Sequence, residues 1–193
     1  MSLRLEFDVS HGDWFALRNE HWVQLCTSGP TGFQRYARLF HDPAGIDADQ
    51  EELQNFEDQP PRELLAPLLD VLARHTTTPD DVLVAIWDGY GVMPDRLRSV
   101  PTVDLRRRKY LLLRGSLHDV SRWVAGTDRD APDYTDHPNL MWPGDRAWFV
   151  ASEIDMPWTS IGGSQDLINE VLVGPGLDAA PFAPSDRPPY WRN

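Results

Sequence analysis

Apolar side chains recur at helical spacing in three parts of the chain. From Leu64 to Leu72 the leucines fall at i, i+1, i+4, i+5 and i+8, which predicts a helix with one face turned to a core. Pro67 lies inside this stretch, where it either kinks the helix or marks its first turn. Similar spacing predicts helices over 117–124 and 165–173.

Five other segments show the apolar run or the alternation that is typical of strands. They are Gly32–His41, Val82–Trp87, Tyr110–Leu113, Ala147–Ile154 and Trp158–Ile161. Residues 126–145 are mostly polar residues, glycine and proline, and we expect a loop there.

The elements follow one another as strand, helix, strand, strand, helix, strand, strand, helix. This order is too irregular for a doubly wound parallel sheet, so we predict an α+β fold with a mixed or antiparallel sheet packed against a few short helices. The 193 residues suit a single domain. We expect its core over about 30–178, an N-terminal arm over 1–29 and a proline-rich C-terminal tail over 179–193.

Charge and cysteine content narrow the classes of function. Eighteen basic residues against 30 acidic ones give a net charge of −12, which opposes binding to nucleic acid or to an anionic membrane surface. Cys26 is the only cysteine, which excludes an intramolecular disulfide. The first residues do not resemble a signal peptide, and the longest apolar run is too short to span a bilayer. We therefore expect a cytoplasmic protein.

The densest group of charged residues that could carry chemistry is Asp145, Arg146, Glu153 and Asp155. On a strand, Glu153 and Asp155 would project to the same face with their Cα atoms about 7 Å apart. Such a pair could act as acid and base or hold a divalent cation. The structural alternative is an ion pair between Asp145 and Arg146 at the strand entry, with Asp155 capping the next turn.

Two glycine-containing turns are further candidates. Ser164 follows two glycines and precedes a predicted helix, whose N-terminus could bind an anion, although an N-cap explains this serine more simply. Asp88 and Tyr90 lie in a turn after a predicted buried strand, where ligands often bind, although a glycine-dependent turn explains it as well. The six histidines show no zinc-binding spacing and no nucleotide motif is present, so we expect neither metal nor cofactor.

Two features favour a surface for a protein partner. Residues 42–63 carry eight acids against one base and form either a solvated face or a contact surface. Trp142 in the predicted loop and Trp191 in the tail are candidate contacts, because tryptophan is enriched at binding hot spots. The only basic run, residues 106–109, could hold a phosphate or an acidic partner, or it pairs with acids elsewhere and protects a sheet edge. The candidate interface residues are therefore Glu51, Glu52, Glu57, Asp58, Trp142 and Trp191.

Six motifs stand out along the chain: HTTTP (75–79), WDGYG (87–91), RKYLLLRG (108–115), WPGDRAW (142–148), EID (153–155) and IGGS (161–164). Together they resemble an uncharacterised family of actinobacterial proteins over roughly residues 30–178. That family has no established activity. The resemblance implies a bacterial, cytoplasmic, single-domain protein and assigns no site residue.

Two hypotheses of function follow. The first is a non-catalytic protein-interaction module, in one version an acidic protein that shields a basic partner as immunity proteins shield nuclease toxins. The alternative is a small-molecule or anion-binding protein, or a hydrolytic enzyme, that uses Asp145, Glu153 and Asp155. The sequence leaves association into a homo-oligomer open.

Overall fold

Nine antiparallel strands form one sheet in the computed structural model, which describes residues 2–41, 62–91, 94–128, 135 and 137–184. The strands are β1 (Arg4–Leu5), β2 (Arg35–Phe40), β3 (Val82–Trp87), β4 (Thr102–Asp104), β5 (Lys109–Gly115), β6 (Leu140–Pro143), β7 (Phe149–Ala151), β8 (Trp158–Gly163) and β9 (Ala179–Pro181). Their order across the sheet is β1-β5-β3-β6-β7-β8-β2-β9, and β4 pairs with β5 beside β1.

Different parts of the chain cover the two faces of the sheet. The described helices are α1 (Asp13–Ala16), α2 (Trp22–Thr27), α3 (Arg62–Arg74), α4 (Leu117–Val124) and α5 (Gln165–Val173). On one face α3, α4 and α5 pack against a core that includes Val84 and Ile86 of β3. On the other face Phe15 of α1 and Leu25 of α2 pack against Leu83 and Ala85 of the same strand. Because side chains alternate along a strand, β3 is buried on both sides.

The predicted α+β class is confirmed, and the sheet is antiparallel throughout the described residues. All three predicted helices form. Ser116 and Asp119 make a reciprocal capping box at the start of α4, since each side chain accepts a hydrogen bond from the other's backbone N–H. The predicted leucine-rich helix is α3. It begins at Arg62, so Pro67 lies inside it rather than in its first turn.

Two predictions of local structure are wrong. The expected loop over 126–145 contains β6, whose four residues are too few to show a period. The expected strand over Ala147–Ile154 is limited to β7, which follows a tight turn with Arg146 in the left-handed region at φ 56°. The residue pattern also gave no indication of β1, α1 and α2 in the N-terminal arm, of β4, or of β9 in the tail.

The antiparallel order places strand ends at two opposite ends of the sheet. At one, β3, β7 and β2 finish and β5, β6 and β8 begin; we call this the Asn139 end, after the residue that precedes β6. At the other, which we call the Asp81 end, β3 begins and β6 finishes. The candidate residues divide between these two ends.

Candidate functional site

The predicted group of three carboxylates does not form one site. Glu153 and Asp155 follow β7 at the Asn139 end, whereas Asp145 precedes β7 at the Asp81 end. The six steps from residue 147 to residue 153 cover about 20 Å in extended conformation. Any chemistry that requires all three carboxylates is therefore excluded.

At the Asp81 end, Asp145 is held by threonines of the turn that follows α3. Its carboxylate accepts hydrogen bonds from the Thr77 backbone N–H at 2.7 Å, the Thr77 hydroxyl at 2.7 Å and the Thr76 hydroxyl at 2.8 Å. Burial alone would raise the pKa of Asp145, but these bonds hold it below its usual value. Its neighbour Arg146 lies over Trp14, 5.3 Å from the ring centre. Both residues hold local structure together.

Ser164 is an N-cap, as its simpler explanation predicted. Its hydroxyl accepts from the Leu167 N–H at 3.1 Å, and the Gln165 N–H donates to the Gln34 side-chain oxygen at 2.9 Å. These two amides at the N-terminus of α5 thus have protein acceptors and do not bind an external anion.

At the Asn139 end, one arginine binds both remaining carboxylates. Arg108 Nη2 donates to Glu153 Oε1 at 2.8 Å and to Asp155 Oδ2 at 3.2 Å. The side chain of Glu153 is 7% exposed and that of Asp155 is 67% exposed. The guanidinium also lies 4.3 Å from the ring centre of Trp87. The basic run 106–109 therefore pairs with acids elsewhere through Arg108, as predicted.

Burial shifts the pKa of several groups around this ion pair. Burial raises the pKa of Glu153, although the Arg108 charge and a hydrogen bond from the Cys26 thiol oppose that change. Burial, with a smaller contribution from the Glu153 charge, raises the pKa of the Cys26 thiol far above its usual value. The pKa of Tyr110 is also raised well above the usual value, first by burial and then by Cys26 and Glu153. Cys26 is thus a protonated, buried thiol.

A separate series of buried and half-buried polar side chains crosses the sheet at the same end. Asn139 accepts from the Trp87 N–H at 2.8 Å and donates through Nδ2 to the Tyr90 hydroxyl at 3.1 Å. That hydroxyl lies 3.2 Å from His137 Nε2. Asn139 and His137 are 3% and 1% exposed. The predicted turn residue Tyr90 is half-buried and lies in a hydrogen-bond network with the two residues His137 and Asn139, which precede β6.

The series continues across β7 and β8 to the end of β2. Asn139 Nδ2 also donates to the Ser152 carbonyl at 3.3 Å, and the Thr159 hydroxyl donates to Ser152 Oγ at 3.1 Å. His41 Nε2 lies 3.0 Å from the Thr159 hydroxyl. We call these six residues the polar line: His137, Tyr90, Asn139, Ser152, Thr159 and His41.

Both histidines of the polar line are buried, and sequence analysis set them aside because their spacing does not suit zinc. Burial, with repulsion from His137, lowers the pKa of His41 to about 4, so this ring is neutral at pH 7. Only their positions in the sequence could have indicated these two histidines as site residues. His41 ends a predicted strand, and His137 lies in a polar stretch that leads into β6. Asp88 follows β3 at this end, where its backbone N–H donates to the Lys109 carbonyl.

The candidate interface residues separate into two groups. Trp142 is fully buried in β6 and stacks on Phe149 with ring centres 5.8 Å apart, so its prediction as a surface contact is wrong. The following Pro143-Gly144 turn made a strand residue resemble a loop residue. The other five lie outside the described residues: Glu51, Glu52, Glu57, Asp58 and Trp191.

Comparisons with known proteins add no family to this geometry. The chain matches no protein-family model, no curated protein and no solved structure. The resemblance to actinobacterial proteins therefore stays a prediction. Within the described residues, no three His, Cys, Asp or Glu side chains lie together as metal ligands. No described helix is long and apolar enough to cross a bilayer.

Proposed function

We propose that the protein binds a small polar molecule at the Asn139 end of the sheet. The observation that carries this proposal is that four groups whose pKa burial shifts lie at this end of the sheet, with Glu153, Cys26 and Tyr110 on one face and His41, in the polar line, on the other. Burial of titratable groups costs stability, and such groups are concentrated at functional sites. A fifth, Tyr36, lies away from them, and its hydroxyl donates to the Pro30 carbonyl.

The charges at this end are balanced among the described residues. The turn between β4 and β5 places Arg106, Arg107 and Arg108 there beside Lys109, and the acidic residues at the same end are Asp88, Asp104, Glu153 and Asp155. Charge alone therefore does not select the ligand, and hydrogen-bonding groups have to do so. A hydrolytic role at this site would have to use Glu153 and Asp155 without Asp145.

Spectral changes in the ¹⁵N-labelled protein would test this proposal. We expect benzylamine and benzyl alcohol, added separately, to shift the backbone amides of the polar line, and benzoate, which has no hydrogen-bond donor, to shift them much less. The Tyr90→Phe variant removes one hydroxyl from the polar line and should weaken the response. Tyr36→Phe is the matched control at a distance, and it should respond as the unmodified protein does.

The result that would overturn the proposal is equally specific. Shifts spread over the surface, or shifts confined to the Asp81 end, would show that the Asn139 end is not a ligand site. An equal response in the two tyrosine variants would contradict a role for the polar line.

A second proposal is that the protein is a non-catalytic protein-interaction module, and the net charge of the chain supports it. The net charge of −12, with eight acids between 42 and 63, favours a basic protein partner through charge complementarity. The test compares partner capture by the unmodified chain with capture by a variant in which Glu51, Glu52, Glu57 and Asp58 are replaced by Gln or Asn. We expect the unmodified chain to capture a partner less well as the salt concentration rises, and the variant to capture none. Equal capture by the two proteins would contradict an acidic interface.

A further inference from the structure

His41 has a buried ring nitrogen that finds no hydrogen-bond partner in the part of the chain that the structure describes. The residue is 7% exposed and directly follows β2. Its backbone N–H donates to the Pro157 carbonyl at 3.0 Å, and its Nε2 lies 3.0 Å from the Thr159 hydroxyl. Its Nδ1 is buried and has no hydrogen-bond partner among the described residues.

The hydrogen bonds of the polar line assign the proton on this ring. A hydroxyl has a single proton, and that of Thr159 is directed to Ser152 Oγ at 3.1 Å. Thr159 Oγ1 must therefore accept from His41 Nε2–H. The neutral ring then carries its proton on Nε2 and a free lone pair on Nδ1. A buried acceptor without a donor is costly, and native proteins rarely contain one.

His137, at the other end of the polar line, differs from His41 in the hydrogen-bond partners of its ring. Its Nε2 lies 3.2 Å from the Tyr90 hydroxyl, and its Nδ1 lies 3.3 Å from the Thr135 hydroxyl. His137 is 1% exposed, which is comparable to the burial of His41. Both nitrogens of His137 thus have protein partners, whereas a single nitrogen of His41 has one among the described residues.

The geometry points to His41 Nδ1 as the atom that accepts a hydrogen bond from an N–H or O–H group of the bound molecule. This inference rests on the proposed ligand site and names the ligand class: a small molecule that carries a hydrogen-bond donor. The donor satisfies the lone pair, whereas a group that can only accept, such as a carboxylate, does not.

Two substitutions separate the two nitrogens of the ring. His41→Gln places an amide N–H near the position of Nε2, so it can keep the bond to Thr159 while it removes the acceptor at Nδ1. His41→Asn places an amide oxygen near the position of Nδ1 and removes the bond to Thr159. His118→Gln is the control, because His118 is exposed on α4.

The probes are benzylamine and benzyl alcohol, each compared with a relative that lacks the donor, toluene and benzyl methyl ether. Histidine ¹⁵N spectra report the protonation and hydrogen bonding of Nδ1 directly. We expect both donors to shift the His41 Nδ1 resonance and to bind about tenfold more tightly than their relatives, since one hydrogen bond has about that value. We expect His41→Gln to remove this preference and His41→Asn to retain part of it.

Each other outcome overturns the inference in an identifiable way. If the donors shift the amides of the polar line but leave His41 Nδ1 unchanged, the ligand site stands and the assigned acceptor is wrong. If His41→Gln binds the donors as tightly as His118→Gln does, the same conclusion holds. If no probe shifts any resonance at the Asn139 end, both the inference and the proposed function fail.

Discussion

The guanidinium of Arg108 lies 4.3 Å from the ring centre of Trp87 and bonds to Glu153 at 2.8 Å. The indole face and the buried carboxylate together fix the orientation of a long, flexible side chain. This arrangement explains why two carboxylates can lie side by side at the Asn139 end. Arg108 neutralises part of their charge, so their proximity alone is no sign of a metal site.

The unequal burial of these two carboxylates gives a first prediction. Glu153→Ala leaves a mostly buried guanidinium without its buried partner and should lower the free energy of unfolding by about 3 kcal/mol. Asp155→Ala removes an exposed partner and should cost less than about 1 kcal/mol. Urea unfolding of the two variants measures the difference; equal losses would show that Asp155, too, is structural.

The turn after β3 gives a second prediction. A Cβ atom at Gly89 would overlap the indole of Trp87, which Arg108 and Tyr90 hold in place. Gly89→Ala should therefore cost about 1–3 kcal/mol and change the tryptophan fluorescence. At Gly91 a Cβ atom meets nothing within 4 Å, so Gly91→Ala is the control. If Gly89→Ala does not change the free energy of unfolding, the Trp87 indole moves freely.

The lowered pKa of His41 gives a prediction about pH. The unfolded chain binds a proton at this histidine near pH 6.5, whereas the folded protein binds it only near pH 4. Stability should therefore fall as the pH is lowered from 6.5 to 4, by up to about 3 kcal/mol from this group alone. His41→Gln should lose that part of the pH dependence, and His118→Gln should keep it. Identical pH profiles for the two variants would refute the assignment.

The two serine caps give a prediction about helix stability. The Ser116 hydroxyl accepts from the Asp119 N–H and donates to its carboxylate, so Ser116→Ala breaks two bonds. Ser164 makes a single capping bond to Leu167. We expect Ser116→Ala to cost about 2 kcal/mol and Ser164→Ala about 1 kcal/mol in thermal unfolding. The reverse order would show that the capping box adds nothing.

Long elements with a clear period were predictable from the sequence, and short ones were not. The helices α4 and α5 and the strand β3 were predicted within a residue or two, because their apolar positions repeat several times. The strand β6 has only four residues and is buried on both faces, so it shows no alternation. Likewise α1 and α2 are too short for their buried residues to reveal a period.

The candidate site was predicted in part, and strand register explains which part. Glu153, Asp155, Asp88 and Tyr90 were singled out from the sequence, and all four lie at the Asn139 end. Asp145 was grouped with them because it is near in sequence, and Ser164 was a candidate because it precedes a helix; both lie away from the Asn139 end. His41 and Asn139 lie about 100 residues apart and come together through the pairing of β2, β8, β7 and β6, which no local pattern encodes.

The position of β1 and β9 has a consequence for distance measurements. These strands lie at opposite margins of the sheet, separated by seven strand-to-strand spacings, or about 34 Å. A dye pair at Arg4 and Ala180 would therefore act as a ruler for the whole sheet and report the loss of any strand between them. A circular permutant that joins the two strands directly would need about ten extended residues of new linker.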